Sequence, residues 1–495
     1  MRRGLAIGPT LLLLLLGCRK AAPGDAAPPE EGAAPAVASA PVAPPVVASR
    51  PEHVPPGVGC MTTGCHAPLK TTAFVHGPIV SGSCDACHGD QQPGHKFPLK
   101  RSGDATCTFC HVVLTGKPVV HAALKQDAAR PGRPSCLNCH QPHGSATRFL
   151  LAADTIEANC RRCHPATETG KSRHGPFAAG ACTLCHAPHE ADNKSLTIRT
   201  GAEHCFRCHT DMRTRVEQSR VVHPPVRDAC TNCHSPHAAE FPKLLRASGA
   251  EQCAACHADV VEKARTAVAR HGAVFTAAQC LNCHDVHGSA QPALLKQAMP
   301  DVCLTCHDQP QKAYDGRTIP EMRTRLVSSA FLHGPVRAGE CQACHAVHGS
   351  SNSRLLKKYF PETFYKDFDL ANYSLCFSCH DQALVTEART DRLTGFRNGD
   401  VNLHALHVGR VEKGRTCKAC HEIHGSDQPK HLAGSVPFEG GGWALPINFR
   451  KTATGGGCAP GCHQPYEYDR VRAVQWKPEG KTAGAPATRP AKETP

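Results

Sequence analysis

Cys280-Leu281-Asn282-Cys283-His284-Asp285-Val286-His287-Gly288-Ser289, followed by Cys303-Leu304-Thr305-Cys306-His307, is one unit of a pattern that runs along most of the chain. A cysteine pair is followed at once by histidine, and often a further histidine comes three residues later. Thirteen stretches have the plain C-x-x-C-H form, from Cys84-Asp85-Ala86-Cys87-His88 to Cys417-Lys418-Ala419-Cys420-His421. Two are stretched, Cys60-x4-Cys65-His66 and Cys458-x3-Cys462-His463. The chain has 31 cysteines, and these fifteen motifs use all but Cys18.

The motif is the attachment site of c-type haem: two thiols add to the porphyrin vinyl groups and the adjacent histidine reaches the iron. The thioether pairs are then Cys60 and Cys65, Cys84 and Cys87, Cys107 and Cys110, Cys136 and Cys139, Cys160 and Cys163. Further along come Cys182 and Cys185, Cys205 and Cys208, Cys230 and Cys233, Cys253 and Cys256, Cys280 and Cys283. The last five are Cys303 and Cys306, Cys341 and Cys344, Cys376 and Cys379, Cys417 and Cys420, Cys458 and Cys462. The proximal axial ligands are His66, His88, His111, His140, His164, His186, His209, His234, His257, His284, His307, His345, His380, His421 and His463. Zinc sites also use cysteine pairs, but have no use for a histidine after every second cysteine. A disulfide framework says nothing about histidine either. With 33 histidines in 495 residues, fifteen such adjacencies do not arise by chance.

A haem iron takes a second axial ligand, histidine or methionine, or keeps an open position. The chain has only five methionines, so histidine is the available type. Seven spare histidines precede the first motif of a repeat: His76, His121, His174, His223, His271, His333 and His407. Six follow a motif in C-H-x-x-H: His143, His189, His237, His287, His348 and His424. His95 takes that role in the first repeat, and His53 is the candidate for the opening site. His204, His404 and His431 are left over, with His404 a close rival of His407. A C-H-x-x-H histidine leaves the chain about one helical turn from the proximal one. It cannot reach the opposite face of the same porphyrin, so it is expected to ligate a neighbouring haem.

Motifs fall into pairs, Cys84 with Cys107 through Cys417 with Cys458, behind a lone Cys60 motif. With its paired motifs and C-H-x-x-H, the chain resembles the doubled C-x-x-C-H family of multihaem c-type cytochromes, which includes periplasmic and outer-membrane electron carriers of metal-respiring bacteria. The resemblance covers about 53–470; the stretched loops and insertions at about 351–375 and 425–457 depart from it. It implies bis-histidine haems in close succession along a mostly irregular chain, here fifteen covalent haem c groups. Electron transfer is the expected function, in anaerobic or extracellular respiration. Periplasmic or surface cytochromes are the expected partners, with an outer-membrane porin as a further candidate. The alternatives are a multihaem reductase with one open haem, or a subunit of a cytochrome filament.

About 33 residues per motif, 5% aromatics, 42 glycines and 41 prolines leave little for a conventional core. The expected fold is coil with short α-helices around a covalent haem chain and little or no β structure. Apolar residues Ala254, Val261, Ala264 and Val268 predict a helix over 251–270, with further short helices after Cys205 and Cys376. The cluster Tyr359, Phe360, Phe364, Tyr365 and Phe368 reads as a packing patch.

Residues 1–17, with Arg2, Arg3 and the run Leu11 to Leu16, read as an export signal. Leu15-Leu16-Gly17-Cys18 resembles a bacterial lipobox, which makes Cys18 a lipidation site. Arg19 after it favours, by the same resemblance, the outer membrane. Residues 18–52 are an Ala/Pro-rich tether, able to reach on the order of 100 Å. The haem body is expected over 53–475 and a disordered tail over 476–495. The formal charge of +14 is offset by haem propionates, to the extent of about −15 for fifteen oxidised haems. That balance gives no support to a nucleic-acid partner.

Overall fold

The computed structural model describes residues 52–476, apart from 63–64, 113, 126–129, 166–168, 439–441 and 462. The signal, nearly all of the tether, Cys18, Cys462 and the tail beyond Trp476 lie outside the described residues.

First motifs of the repeats fold as single 3-10 turns, such as Cys182–Leu184, Cys230–Asn232 and Cys341–Ala343. In each, the backbone N–H of the motif histidine donates to the carbonyl of the first cysteine, as His284 does to Cys280 at 3.0 Å. That bond closes one turn and gathers both thiols and the imidazole on one loop. Second motifs of the first five repeats sit in α-helices: Ala105–Thr108, Ile156–Arg161, Gly201–Phe206, Gly249–Thr266 and Asp301–His307. Thr155 caps its helix by accepting from Ala158 N–H at 3.0 Å.

Gly249–Thr266 is the longest of these, and it buries Val261 and Ala264. It ends before Val268, which is 79% exposed. The chain leaves the helical region at Ala267 (ψ 136) so that Ala269 can pair with Ser350. Apolar spacing carries no trace of that competing bridge. The helix expected after Cys205 is Thr210–Gln218, and the one after Cys376 shrinks to Ala383–Thr386.

Repeats are joined by two-residue antiparallel ladders. Phe74–Val75 pairs with Gly144–Ser145, Val119–Val120 with Glu190–Ala191, and Ser172–Arg173 with Ala238–Ala239. Val221–Val222 pairs with Gly288–Ser289, and Phe331–Leu332 with Gly425–Ser426. In every case the strand just before an upstream histidine meets the strand just after a C-H-x-x-H histidine of the following repeat. Glycine recurs there because the chains approach closely. A Cβ on Gly288 would lie 2.5 Å from Ser219 Oγ, and one on Gly425 would lie 2.8 Å from Leu332 Cδ2.

Among the described residues, conventional cores form only toward the C-terminal end. Phe364, Ala419, Ala433, Val436, Leu445 and Ile447 make one cluster, and Tyr373, Val385 and Val408 make another, backed by Phe360 and Phe368. The aromatic insertion is thus packing, though Tyr359 stays 44% exposed. The second insertion holds a hairpin, Ser435–Pro437 with Ala444–Pro446. A three-stranded sheet follows, Arg450–Lys451, Gly455–Cys458 and Tyr466–Asp469. Among the described residues no helix is long and apolar enough to cross a membrane.

Asp469 fastens that sheet. It accepts from Thr454 Oγ1 at 2.5 Å and from the N–H groups of Val471 and Arg472 at 2.7 and 2.9 Å. These bonds, the Thr454 hydroxyl first, hold its carboxyl at about 2. A depressed carboxyl stabilises the fold above the unfolded-state value of about 3.9 and loses that contribution as pH falls toward 2. The sheet is therefore expected to loosen between about pH 4 and 2, as read by amide exchange. Asp469→Asn should abolish that dependence; an unchanged acid profile would contradict it.

Candidate haem sites

Consecutive attachment sites lie near one another all along the chain. Cys60 lies beside Cys84 and Cys87 beside Cys107. The thiols of Cys107 and Cys136, Cys160 and Cys182, Cys205 and Cys230 are within hydrogen-bonding reach. So are those of Cys253 and Cys280, Cys303 and Cys341, Cys376 and Cys417. Within repeats, Cys139 approaches Cys163, Cys185 approaches Cys208, Cys233 approaches Cys256 and Cys283 approaches Cys306. Cys344 approaches Cys379, and Cys420 reaches Cys458. Order in space therefore follows order in sequence.

Each first-motif histidine is held by its other ring nitrogen. His88 Nδ1 bonds the Phe97 carbonyl at 2.9 Å, His140 that of Phe149 at 2.8 Å and His186 that of Ser195 at 2.8 Å, each nine residues on. His234, His284, His345 and His421 repeat the bond to Lys243, Ala293, Arg354 and Lys430. From the Cys182 repeat onward two successive left-handed residues present the carbonyl, for example Lys243 (φ 58) with Leu244 (φ 59), and Arg354 (φ 55) with Leu355 (φ 58). Non-glycine residues adopt this conformation only where the surroundings repay it. The segment between motifs, which carries a leucine pair in several repeats (Leu150-Leu151, Leu244-Leu245, Leu294-Leu295 and Leu355-Leu356), thus fixes imidazole orientation through the carbonyl just before it. Donation through Nδ1 leaves Nε2 to face a metal.

Five of the seven upstream histidines are held across the joints. His76 Nδ1 bonds Pro142 O at 2.8 Å, His174 bonds Pro236 O at 2.9 Å, His223 bonds Val286 O at 3.1 Å and His271 bonds Val347 O at 3.0 Å. His121 has the same bond to Pro188. Each accepting carbonyl precedes the C-H-x-x-H histidine of the next repeat.

The imidazoles then face each other in pairs. C-H-x-x-H histidines reach back one repeat: His143 to His88 with ring centroids 6.3 Å apart, His189 to His140 at 6.2 Å and His237 to His186 at 6.0 Å. His287 faces His234 at 6.2 Å, His348 faces His284 at 6.1 Å and His424 faces His345 at 6.2 Å. Upstream histidines serve the second motif of their own repeat: His76 with His111, His121 with His164, His174 with His209. His223 with His257, His271 with His307 and His333 with His380 continue the series at 6.1–6.4 Å. Imidazole nitrogen binds a metal at about 2.0–2.1 Å, so two rings flanking one ion have centroids roughly 6 Å apart. Rings in direct contact would be closer, with atoms at about 3.5–4.0 Å. The separations suit an ion held between two imidazoles.

Two expectations are corrected here. His66 faces His95 at 6.1 Å, whereas His53 is exposed and has no ring partner among the described residues. Val54 N–H donates to Gln91 Oε1 and Gln91 Nε2 donates to Glu52 O, pinning the backbone around His53. His404, left over in the sequence count, faces His421 at 6.4 Å. Both follow from direction: since the C-H-x-x-H series reaches backward, the opening site is served from the first repeat, and His421 has no later repeat to serve it. His407 lies close enough to His463 for charge on one to act on the other, with burial the main cause of its value of about 4. Burial also pushes His404 and His424 down to about 4, which keeps them in the neutral, metal-binding form.

Asn402 sets both His404 and His407. It is 1% exposed, its Oδ1 caps Leu403–Val408, and its Nδ2 donates to the carbonyls of Leu384 and Glu387 at 2.9 and 2.8 Å. Asn402→Ala loses the cap and strands two carbonyls, at a cost of about 2–4 kcal/mol. Chemical denaturation should show that loss; a change under about 0.5 kcal/mol would contradict this role.

Among the described residues no three His, Cys, Asp or Glu side chains converge on a conventional metal site. Instead a continuous cavity of 5780 Å³ runs along attachment cysteines and paired imidazoles from His121 to His424. His204 and His431 bury an Nδ1 without a hydrogen-bond partner beside this row, and neither opposes a motif histidine.

Loops that present two thiols and an imidazole, each faced by a second imidazole, define a multihaem c-type cytochrome, an electron-transfer protein binding haem c through its C-x-x-C-H motifs. The model of the doubled CXXCH motif matches six times, at 76–115, 121–169, 174–214, 223–262, 271–312 and 333–384. These matches cover just over half of the chain, which belongs to that family. Over 151 residues it is 29% identical to a high-molecular-weight cytochrome c of Nitratidesulfovibrio vulgaris, covering 30% of this chain and 24% of that protein. Over 164 residues it is 29% identical to the multiheme cytochrome MtrA of Shewanella baltica, covering 28% and 47%. The matches thus span about a quarter and about half the length of these relatives. Both carry the name of cytochromes.

Proposed function

We propose that the chain carries fifteen haems c, each with two axial histidines, and relays electrons along them in sequence order. The fourteen facing pairs and the His407–His463 pair are the axial sets of this reading. Haem supplies reversible one-electron chemistry at low potential, since two histidine ligands set potentials below those of His/Met haems. The protein's part is to hold the imidazoles by carbonyl bonds and to keep neighbouring attachment loops in contact. We further propose one continuous body over 53–475, anchored by lipid at Cys18 to the outer membrane through the tether. Its partners would be other redox proteins, periplasmic or surface cytochromes, with a porin as a further candidate.

The observation that carries this reading is the opposing imidazole. Among the described residues every attachment histidine has a second one facing it or, for His463, close by. A reductase needs one iron open to substrate, and a filament subunit a contact offered head to tail. The internal closure of the ligand count favours the relay over both. Intact mass of the mature protein should exceed the lipidated polypeptide by fifteen haems, and carbon monoxide should leave the reduced spectrum unchanged. A smaller haem count would contradict the stoichiometry; stoichiometric carbon monoxide binding would favour the reductase.

A further inference from the structure

The hydrogen bonds at ring Nδ1 distinguish the sites from one another. At the seven first-motif sites of the repeats the attachment histidine is bonded to a carbonyl. At the second-motif sites from His111 to His307 the facing histidine takes over that bond. At the last site both rings are bonded, His407 to Leu403 O at 2.7 Å and His463 to Gln464 O at 2.6 Å. Two sites have no such bond among the described residues. At the opening site His95 Nδ1 is buried without a partner. At the thirteenth, neither His333 nor His380 meets a carbonyl.

The thirteenth site has a visible cause. By the rule of the other joints His333 should donate to the carbonyl of Ile423, which precedes His424. Instead the ring of His431 stands edge-on to His333, with centroids 5.5 Å apart. His431 occupies the left-handed position filled by Leu196, Leu244, Leu294 and Leu355 in other repeats, at φ 59 against 56–59. A polar ring thus stands at a leucine position beside His333, with its own Nδ1 unpartnered.

A carbonyl accepting from Nδ1 makes the imidazole a stronger donor to iron, which favours the ferric state and lowers the potential. Sites without that bond are therefore easier to reduce. We infer that the first and thirteenth sites, His66/His95 and His333/His380, are the high-potential stations of the series, where electrons come to rest near the two ends of the relay. The inference rests on the axial pairs proposed above. In a reductive titration each of these irons takes one electron from dithionite, ferric to ferrous, ahead of the rest.

The test is a potentiometric titration of the haem-loaded protein, followed by visible and paramagnetic resonance spectra, for wild type, His95→Met and His333→Met. Methionine raises the potential of the haem it ligates, so the component missing from the wild-type curve identifies that haem. Loss of the highest-potential components in both variants is the expected result. Loss from the middle or bottom of the range would overturn the inference alone. Unchanged curves and spectra would overturn the ligand pairs, and the inference with them. His431→Leu should let His333 reach Ile423 and lower one high component; a component that stays or rises would overturn the role given to His431.

Discussion

Expressed without haem attachment, the chain is expected to lose its structure over 53–340 and to keep a compact segment only over 357–476. Ordering a residue costs roughly 1–2 kcal/mol of backbone entropy, and burial of apolar surface has to offset it. Before residue 340 the described chain buries only scattered hydrophobics, among them Ile79, Phe206, Val261 and Leu304. Both clusters of buried residues lie between Phe364 and Ile447. Two-residue ladders cannot stand alone. Haem attachment is thus the folding step of the first part, as metal binding is for small metal-dependent domains. Limited proteolysis with amide exchange should find protection confined to 357–476. Protected amides in Gly249–Thr266 of the haem-free chain would contradict this.

His143→Met is expected to raise the potential of one haem by on the order of 100 mV, within the roughly 0.8 V that axial ligands command, without detaching any haem. The haem affected should be the one held by Cys84 and Cys87, since His143 faces His88 across the joint, and not the one held by its neighbours Cys136 and Cys139. A variant lacking Cys84 and Cys87 tests the assignment. Adding His143→Met to it should change nothing further, because the two changes act on one site. A full-sized shift in that background would place His143 on another iron.

The C-x-x-C-H loops were legible because their chemistry needs adjacent residues in fixed order. So was the outward reach of C-H-x-x-H, since three residues cannot pass round a porphyrin. The direction of that reach was not legible. Counting spare histidines picked out most of the imidazoles that face an attachment histidine, but it assigned His53 to the opening site, where His95 stands, and left out His404, because number does not encode which way a ladder pairs. The leucine stretches hid their role for a related reason: they act through backbone carbonyls, and a left-handed pair such as Lys243-Leu244 has no residue signature. Alternation too short to register concealed the β strands from Ser435 to Asp469. The aromatic insertion was readable as packing because its five rings leave few other ways to avoid water.

The most direct test of the account is an electron cryomicroscopy map of the haem-loaded protein, sharp enough to place imidazole rings. It should show a porphyrin between His88 and His143, the next between His76 and His111, and so on in sequence order to His404 with His421. A porphyrin with an open face, or one bracketed by His53, or attachment sites ordered otherwise than along the chain, would contradict it.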